Sequence, residues 1–201
     1  MRELIRVIIK QPGLHARFLN TLSFMEYCGA QKIAQAARSL EKSSFLLEHL
    51  AEEFRHAHYL RSLAEKTAIA GHVEFDYNNY LNIKSSKALL CDLDRQICLF
   101  HKDIKSPLNI TEFSYLLTTY AIECRALVFY HIYQEELDQE GIGLSLKSIL
   151  SEERHHLDCI NAQLKTCGIS KASCQKAIEL ESLLYEKWLR AIAHEAMITQ
   201  T

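Results

Sequence analysis

A segment of seven residues occurs twice in this chain, one hundred positions apart. Residues 50–56 read LAEEFRH, and residues 150–156 read LSEERHH. Each copy contains a glutamate and a histidine three positions apart, a spacing that puts both side chains on one face of an α-helix, within reach of a single metal ion. One such pair is expected by chance in a chain of this composition, so the meaning of the repeat depends on its register and its neighbours.

The first copy lies in a predicted helix from about Ser39 to Ala70. Its apolar residues recur at steps of three and four, and this stripe places Glu53 and His56 on the inner side of the helix. His49 lies one turn before Glu53 on the same face. A histidine at such a position is more often hydrogen-bonded in the core, or placed behind a metal ligand, than a ligand itself.

The second copy lies in a predicted helix over about residues 145–166, and two registers compete there. Glu152 pairs with His155 in one register, and Glu153 pairs with His156 in the other. The apolar stripe of this helix includes Glu153 and His156, and alignment with the first copy gives the same answer. We therefore select Glu153 and His156, with Glu152 and His155 as the alternative.

Two further predicted helices each carry one glutamate on an apolar face. The first begins at Pro12 and Gly13 and has Glu26 at the edge of its inward stripe. The second runs from about Thr111, its predicted N-cap, to near residue 139, and has Glu123 within its stripe. Both glutamates are unusual, because a buried carboxylate needs a partner.

The remaining segments complete an all-α chain. A helix over about residues 84–105 is predicted as a crossover between the second and third core helices, after a weaker pattern over residues 72–86. A final helix over about residues 171–199 contains Trp188, which we expect in the core. Six glycines and two prolines leave few interruptions and favour long helices over strands. We predict a single domain over residues 1–201.

The composition excludes several classes of protein. The net charge of -2 gives no strong signal for nucleic-acid binding, and no apolar run is long enough to span a membrane. The seven cysteines form no Cys-x-x-Cys pair, and no apolar signal segment follows the N-terminus. We therefore expect a cytoplasmic protein whose cysteines are reduced and mostly small core residues.

Taken together, the four core helices place a set of metal-binding side chains at mid-height in a predicted bundle. Two antiparallel helix hairpins would bring the set together. Four buried carboxylates cannot all stay ionised without cations, and two divalent ions would neutralise them. Carboxylate and imidazole ligands suit two iron ions, with manganese as the alternative at either position. The predicted ligands are Glu26, Glu53, His56, Glu123, Glu153 and His156.

This ligand set resembles the signature of the ferritin-like di-iron carboxylate superfamily, over about residues 14–165. The Glu-Glu-x-Arg-His segment at 52–56 is similar to the acyl-carrier-protein desaturases and their relatives. Residues 122–125 and 152–156 together resemble, more loosely, the tRNA-modifying di-iron hydroxylases. In the second copy the arginine, Arg154, stands one place earlier than the desaturase pattern requires.

The resemblance implies a ferritin-like four-helix bundle with a helical crossover and an additional C-terminal helix. By the same resemblance, Glu53 and Glu123 would bridge the two metals, and Glu26 and Glu153 would be terminal ligands. The alternative without a metal site is a helical bundle whose inner glutamates occur there by chance.

The function implied is an O₂-dependent oxidase, hydroxylase or desaturase. It would act on a small-molecule or carrier-bound organic substrate, with an external electron donor, as a monomer or homodimer. A ferroxidase or other iron-handling protein is the first alternative, and a tRNA-modifying di-iron hydroxylase is the second. Tyr120 lies one turn before Glu123 on the same face and is the candidate redox tyrosine, although packing is the commoner role of such a residue.

Overall fold

The chain forms an all-α structure. The structure, a computed structural model, describes residues 1–38, 44–68, 77–104, 106 and 108–198. These residues form seven α-helices and one 3-10 turn (Tyr77–Asn79), and they contain no strand. In chain order the helices are α1 (Arg2–Ile9), α2 (Pro12–Ala36), α3 (Ser44–Thr67), α4 (Ile83–Asp103), α5 (Ile110–Gln139), α6 (Lys147–Thr166) and α7 (Lys171–Ile198).

The predicted long helices correspond to α2 to α7, with differences at their ends. The predicted start of α3 at residues 39–43, its end at 69–70 and residues 72–76 of the weaker segment over 72–86 lie outside the described residues. Asn109 caps α5, because its side chain accepts a hydrogen bond from the Glu112 backbone N–H at 3.0 Å. The prediction of Thr111 as the N-cap is therefore wrong by two positions.

The short helix α1 was not predicted. Ile5, Ile8 and Ile9 are buried, and the two arginines of the helix reach α5, where Arg2 Nη1 and Arg6 Nε lie 3.0 and 2.8 Å from the Glu136 carboxylate. The Glu136 side chain is fully buried. The spacing of Ile5, Ile8 and Ile9 is that of one helix face, so the local sequence could have predicted this helix.

Two clusters of buried apolar residues show the relative directions of the four central helices, α2, α3, α5 and α6. The first cluster includes Leu22, Leu60, Phe129 and Ile149, and the second includes Ile33, Leu46, Ala121 and Ile160. Along α2 and α6 the first cluster precedes the second, whereas along α3 and α5 the second precedes the first. The residues that mark this order are Leu22 before Ile33, Ile149 before Ile160, Leu46 before Leu60, and Ala121 before Phe129. Hence α2 and α6 run one way, and α3 and α5 run the other way.

Helices α4 and α7 flank this central group. α4 lies in the connection between the parallel helices α3 and α5, and it packs on α2, α5 and α7. In α7, Trp188 is buried and donates a hydrogen bond from Nε1 to Ser86 Oγ of α4 at 2.9 Å. The prediction that Trp188 packs in the core is confirmed.

The cysteines occupy the borders of the helices rather than the core. All seven are free, as expected, but six are half-buried and Cys91 is exposed. The prediction that they are core residues is wrong, because they lie at the edges of the apolar stripes. No helix within the described residues is long and apolar enough to cross a membrane.

Candidate metal centre

A layer of acidic and imidazole side chains separates the two apolar clusters. On each central helix it lies between the residues of one cluster and those of the other. Its buried members are His49, Glu53, His56, Glu123, Glu153 and His156, and Glu26 is half-buried at its edge. So many ionisable groups in a protein interior require compensation by opposite charge.

The carboxylates of Glu53 and Glu153 lie between the imidazoles of His56 and His156. Glu153 Oε1 is 3.2 Å from His56 Nδ1, and its other oxygen is 3.5 Å from His156 Nδ1. Glu53 Oε1 is 3.8 and 3.7 Å from the same two nitrogens. Glu53 and Glu153 thus each lie close to both imidazoles, and the role of Glu123 as a shared carboxylate, which the family resemblance implies, stays a prediction.

The donor atoms divide into two groups that share Glu53. Within each group, one atom of every residue lies within 4.8 Å of the others. We call them the two-imidazole group (His49, Glu53, Glu123, His156) and the three-carboxylate group (Glu26, Glu53, His56, Glu153). Each group has enough donors for one metal ion.

His49 lies inside this layer and not behind it. Its Nε2 is 3.1 Å from Glu123 Oε1 and 3.5 Å from Glu53 Oε1. Its ring packs against His156 at a centroid distance of 4.1 Å, and its side chain is fully buried. The sequence indicated the correct face for His49, but the more common role of a hydrogen-bonded core histidine does not describe this position.

Glu52 and Glu152 hold the imidazoles of the opposite helix. His156 Nε2 donates to Glu52 Oε2 at 2.7 Å, and His56 Nε2 donates to Glu152 Oε2 at 2.6 Å. The two hydrogen bonds cross between α3 and α6 and leave both Nδ1 atoms facing the layer. A carboxylate behind a histidine fixes the orientation of the ring and raises its basicity as a ligand.

Arg55 joins these two outer carboxylates. Its guanidinium lies 3.0 Å from Glu52 Oε1 and 2.9 Å from Glu152 Oε1. The family pattern would put a second arginine at position 155, where this chain has histidine. His155 is exposed and lies against Cys159, and Arg154 is also exposed. The structure thus places Glu153 and His156 inside, and His155, the partner of Glu152 in the alternative register, outside.

Several donor atoms of the layer are buried without a hydrogen-bond partner among the described residues. They are Nδ1 and Nε2 of His49, Nδ1 of His56, Nδ1 of His156 and Oε2 of Glu123. Each unmade hydrogen bond of a buried polar atom costs about 1–3 kcal/mol. Metal ions would compensate all of these atoms except Nδ1 of His49, so the residues present fit a pair of metal ions.

The protonation of the layer reflects its excess of carboxylates. Burial and the charges of Glu53 and Glu153 raise the pKa of Glu26 well above its usual range. Burial and the charge of Glu153 do the same to the pKa of Glu123. Burial would also raise the pKa of Glu153, but the facing groups of Glu123, His156 and His56 lower it well below its usual range.

The excess of carboxylates also raises the pKa values of two imidazoles of the layer, His56 and His156. Burial alone would lower the pKa of His56, but the facing Glu153 carboxylate and the other glutamates raise it to about 10. The pKa of His156 is likewise raised, mainly by Glu153 against the effect of burial. Protons therefore provide the positive charge that metal ions would provide.

Two tyrosines adjoin the layer, and neither is the predicted Tyr120. Tyr130 donates a hydrogen bond to Glu26, and its pKa is raised by burial and by the charge of Glu26. The pKa of Tyr115 is raised by burial and by the charges of Glu123 and Glu53. For Tyr120 burial and Cys124 raise the pKa to about 12, with a smaller effect of Cys174 on α7. The geometry thus favours Tyr130 over Tyr120 as the tyrosine associated with the centre.

A cavity of about 370 Å³ connects the layer to the outside between α2, α4 and α5. Glu53 and Glu123 form part of its lining, and the Lys32–Asp94 ion pair, at 3.1 Å, also lines it. Hydroxyl side chains of α5 form much of its wall. They are Thr111, Ser114, Tyr115, Thr118 and Thr119. This volume is at the lower end of the range for small-molecule sites.

Comparisons of this chain with protein-family models, with curated proteins and with solved structures found no match.

Proposed function

We propose that the chain is a ferritin-like di-metal oxidoreductase that uses O₂ to oxidise an organic molecule. The observation that carries this proposal is the pair of donor groups sharing Glu53, with buried nitrogen and oxygen atoms that lack partners among the described residues. The directions of α2, α3, α5 and α6, with a crossover that includes α4, support a ferritin-like bundle. Iron suits this ligand chemistry, with manganese as the alternative.

The residues of this chain would hold and position the metals in distinct ways. Glu53 would be shared by both ions, Glu26, Glu123 and Glu153 would each bind one ion, and Glu52 and Glu152 would keep Nδ1 of the opposite histidine directed inward. Metal ions held by these residues would supply electrons to O₂. In a hydroxylation the substrate C–H becomes C–OH, one oxygen atom leaves as water, and an external donor supplies two electrons and two protons.

The cavity supports an organic substrate over iron storage. Its volume suits a small molecule, and Glu53 and Glu123 lie in its lining. A storage protein needs an assembled shell, for which the described surface offers no argument. Gly29 also lines the cavity, and the missing side chain leaves room beside Glu53.

The test is iron loading of the purified chain without oxygen, followed by exposure to O₂. We expect two iron ions per chain, rapid oxidation to a ferric pair, and no growth of mineral at higher iron. The particle should elute from a sizing column as a monomer or dimer. A chain that binds no iron would refute the proposal, and a cage that accumulates hundreds of ions would replace it with iron storage.

A further inference from the structure

The two metal positions differ chemically because of His49. The side chain of His49 is fully buried, and both of its ring nitrogens lack a hydrogen-bond partner among the described residues. Phe45 covers the ring at a centroid distance of 5.5 Å, and His156 lies against it at 4.1 Å. A packed imidazole held with Nε2 next to two carboxylates is positioned to bind a cation rather than to fill space.

We propose that His49 is a seventh metal ligand and that it makes the pair of positions unlike. This inference rests on the proposed function. The two-imidazole group then offers two nitrogen and two carboxylate ligands, whereas the three-carboxylate group offers one nitrogen and three carboxylate ligands. Imidazole favours iron, cobalt and zinc, and carboxylate favours manganese. The position beside His49 binds iron or cobalt first, and the position beside Glu26 accepts manganese.

The first test is a cobalt titration, since Co²⁺ bound to the protein absorbs visible light and needs no turnover. The wild type should bind two Co²⁺ ions in two phases with different spectra. His49→Gln should weaken the tight phase by more than about 100-fold, above the usual loss for an outer partner of a ligand. His155→Gln alters an exposed histidine of α6 and should change neither phase.

The second test separates a ligand from a packing residue. His49→Ala leaves a space of imidazole size next to Phe45, and added imidazole should restore the tight cobalt phase and its spectrum. A variant that binds both ions with unchanged affinity and spectrum overturns the role of His49 but leaves the di-metal proposal intact. Rescue of thermal stability by imidazole without rescue of the spectrum would also overturn it. Failure of the wild type to bind metal instead refutes the proposed function.

A competition experiment checks the selectivity directly. Wild type exposed to equal Fe²⁺ and Mn²⁺ without oxygen should retain more iron than manganese, because affinity rises from manganese to iron and an imidazole ligand strengthens this preference. His49→Gln should retain a lower ratio of iron to manganese than the wild type. Equal and random incorporation in the wild type would overturn the claim that the positions differ.

A second inference concerns the substrate and rests on the cavity wall. Tyr115 and Thr118 are more than nine-tenths buried, and their hydroxyl groups lack hydrogen-bond partners among the described residues. Their positions three apart on α5 place them on one face. An alkyl chain in this cavity would leave both hydroxyls unpaired, which is unfavourable for buried polar groups.

We infer that the substrate is a small polar molecule with at least two hydrogen-bonding groups, and not a carrier-bound acyl chain. This inference also rests on the proposed function, because the reacting carbon must lie beside Glu53 and Glu123. The test uses protein loaded with Zn²⁺, so that no oxidation occurs. The probes are phenol, toluene and octanoate, observed by saturation-transfer NMR. Phenol and toluene have nearly the same shape and differ mainly in one hydroxyl group.

Phenol should bind more tightly than toluene or octanoate by about 10-fold, the value of one good buried hydrogen bond. Thr118→Val combined with Tyr115→Phe should remove this preference while the zinc content stays the same. Thr111→Val, at a less buried part of the same wall, is the control and should keep the preference. Equal binding of all three probes by the wild type, or binding of none, would overturn the inference without affecting metal binding.

Discussion

Gly29 leaves room for the Glu53 carboxylate in the buried layer of carboxylates and imidazoles. A Cβ atom at this position would lie 3.2 Å from Glu53 Oε2, so the carboxylate would have to move. We expect Gly29→Ala to lower the affinity for Co²⁺ by about 10-fold, an effect similar to the loss of an outer partner of a ligand. The measurement is a titration followed by visible absorption.

The control for this prediction is Gly13→Ala, also in α2. A Cβ atom there meets nothing within 4 Å. Both changes favour the helix, by up to about 1 kcal/mol in a helix interior, so helix propensity alone predicts similar behaviour. Equal metal affinity in the two variants would show that Gly29 does not protect the position of Glu53.

We expect the stability of the protein to depend on pH through His15, which is not part of the buried layer of carboxylates and imidazoles. Its ring is buried, its Nε2 lies 2.7 Å from the Tyr133 hydroxyl, and burial lowers its pKa to about 4. In the unfolded chain this histidine takes up a proton near its ordinary pKa of 6.5, whereas the folded state resists protonation down to about pH 4. Stability is therefore complete above about pH 6.5 and is lost as the pH falls toward 4, by about 3 kcal/mol in total.

The measurement compares the free energy of unfolding in urea at pH 5 and pH 8. His15→Gln keeps a group able to reach Tyr133, and this variant should lose less stability between pH 8 and pH 5 than the wild type does. His194→Gln replaces a histidine outside the buried core and should behave as the wild type. The same loss of stability at pH 5 in all three proteins would contradict the role of His15.

At the scale of elements, α3 and α6 are linked by two hydrogen bonds, because a glutamate of each helix accepts a hydrogen bond from a histidine of the other. Glu152→Gln removes the charge that faces His56 Nε2 at 2.6 Å. We expect metal affinity to fall by about 10–100-fold, because the ring loses its orienting carboxylate. Metal analysis after competition with a chelator measures the effect. Glu48→Gln, an exposed glutamate on α3, is the matched control, and an equal affinity for both variants would refute the prediction.

The spacing of apolar residues at steps of three and four predicted most of these helices, because it determines which face of a helix is buried. The same stripe selected the register of Glu153 and His156, which the structure buries. The stripe could not predict that Glu52 and Glu152 would hold histidines on the opposite helix. Such contacts depend on the spacing between helices, which sequence periodicity does not contain.

The contacts of Arg55 with two helices also could not be predicted from sequence periodicity. The second copy of the repeat has no arginine at position 155, which appeared as a departure from the family pattern. In the structure Arg55 contacts both Glu52 and Glu152, so one guanidinium serves both copies. The role of His49 was likewise open until the structure showed that no described residue forms a hydrogen bond with its nitrogens.

At the scale of the whole molecule, the four central helices are joined through an interior that contains charged groups. The apolar clusters on both sides of the layer stabilise the bundle, whereas the layer itself is costly without cations. In the metal-free chain, protons on Glu26, Glu123 and His56 reduce this cost, as their raised pKa values require. Metal binding and proton binding therefore compete for the same atoms.

We expect metal binding to release protons and to raise the melting temperature of the whole chain. At pH 7 two divalent ions should displace protons, among them one from His56, and the affinity should rise with pH, because ligands must be deprotonated. At a free metal concentration about 100 times the Kd of both positions, stability should rise by about 5 kcal/mol, or about 11–22 °C for a chain of this size. Calorimetry in phosphate and in Tris, buffers with different ionisation heats, counts the protons, and a scan of melting temperature gives the stability. Metal binding with no proton release would contradict this prediction. It would mean that the carboxyl groups of the layer are already ionised and that groups other than bound protons balance their charge.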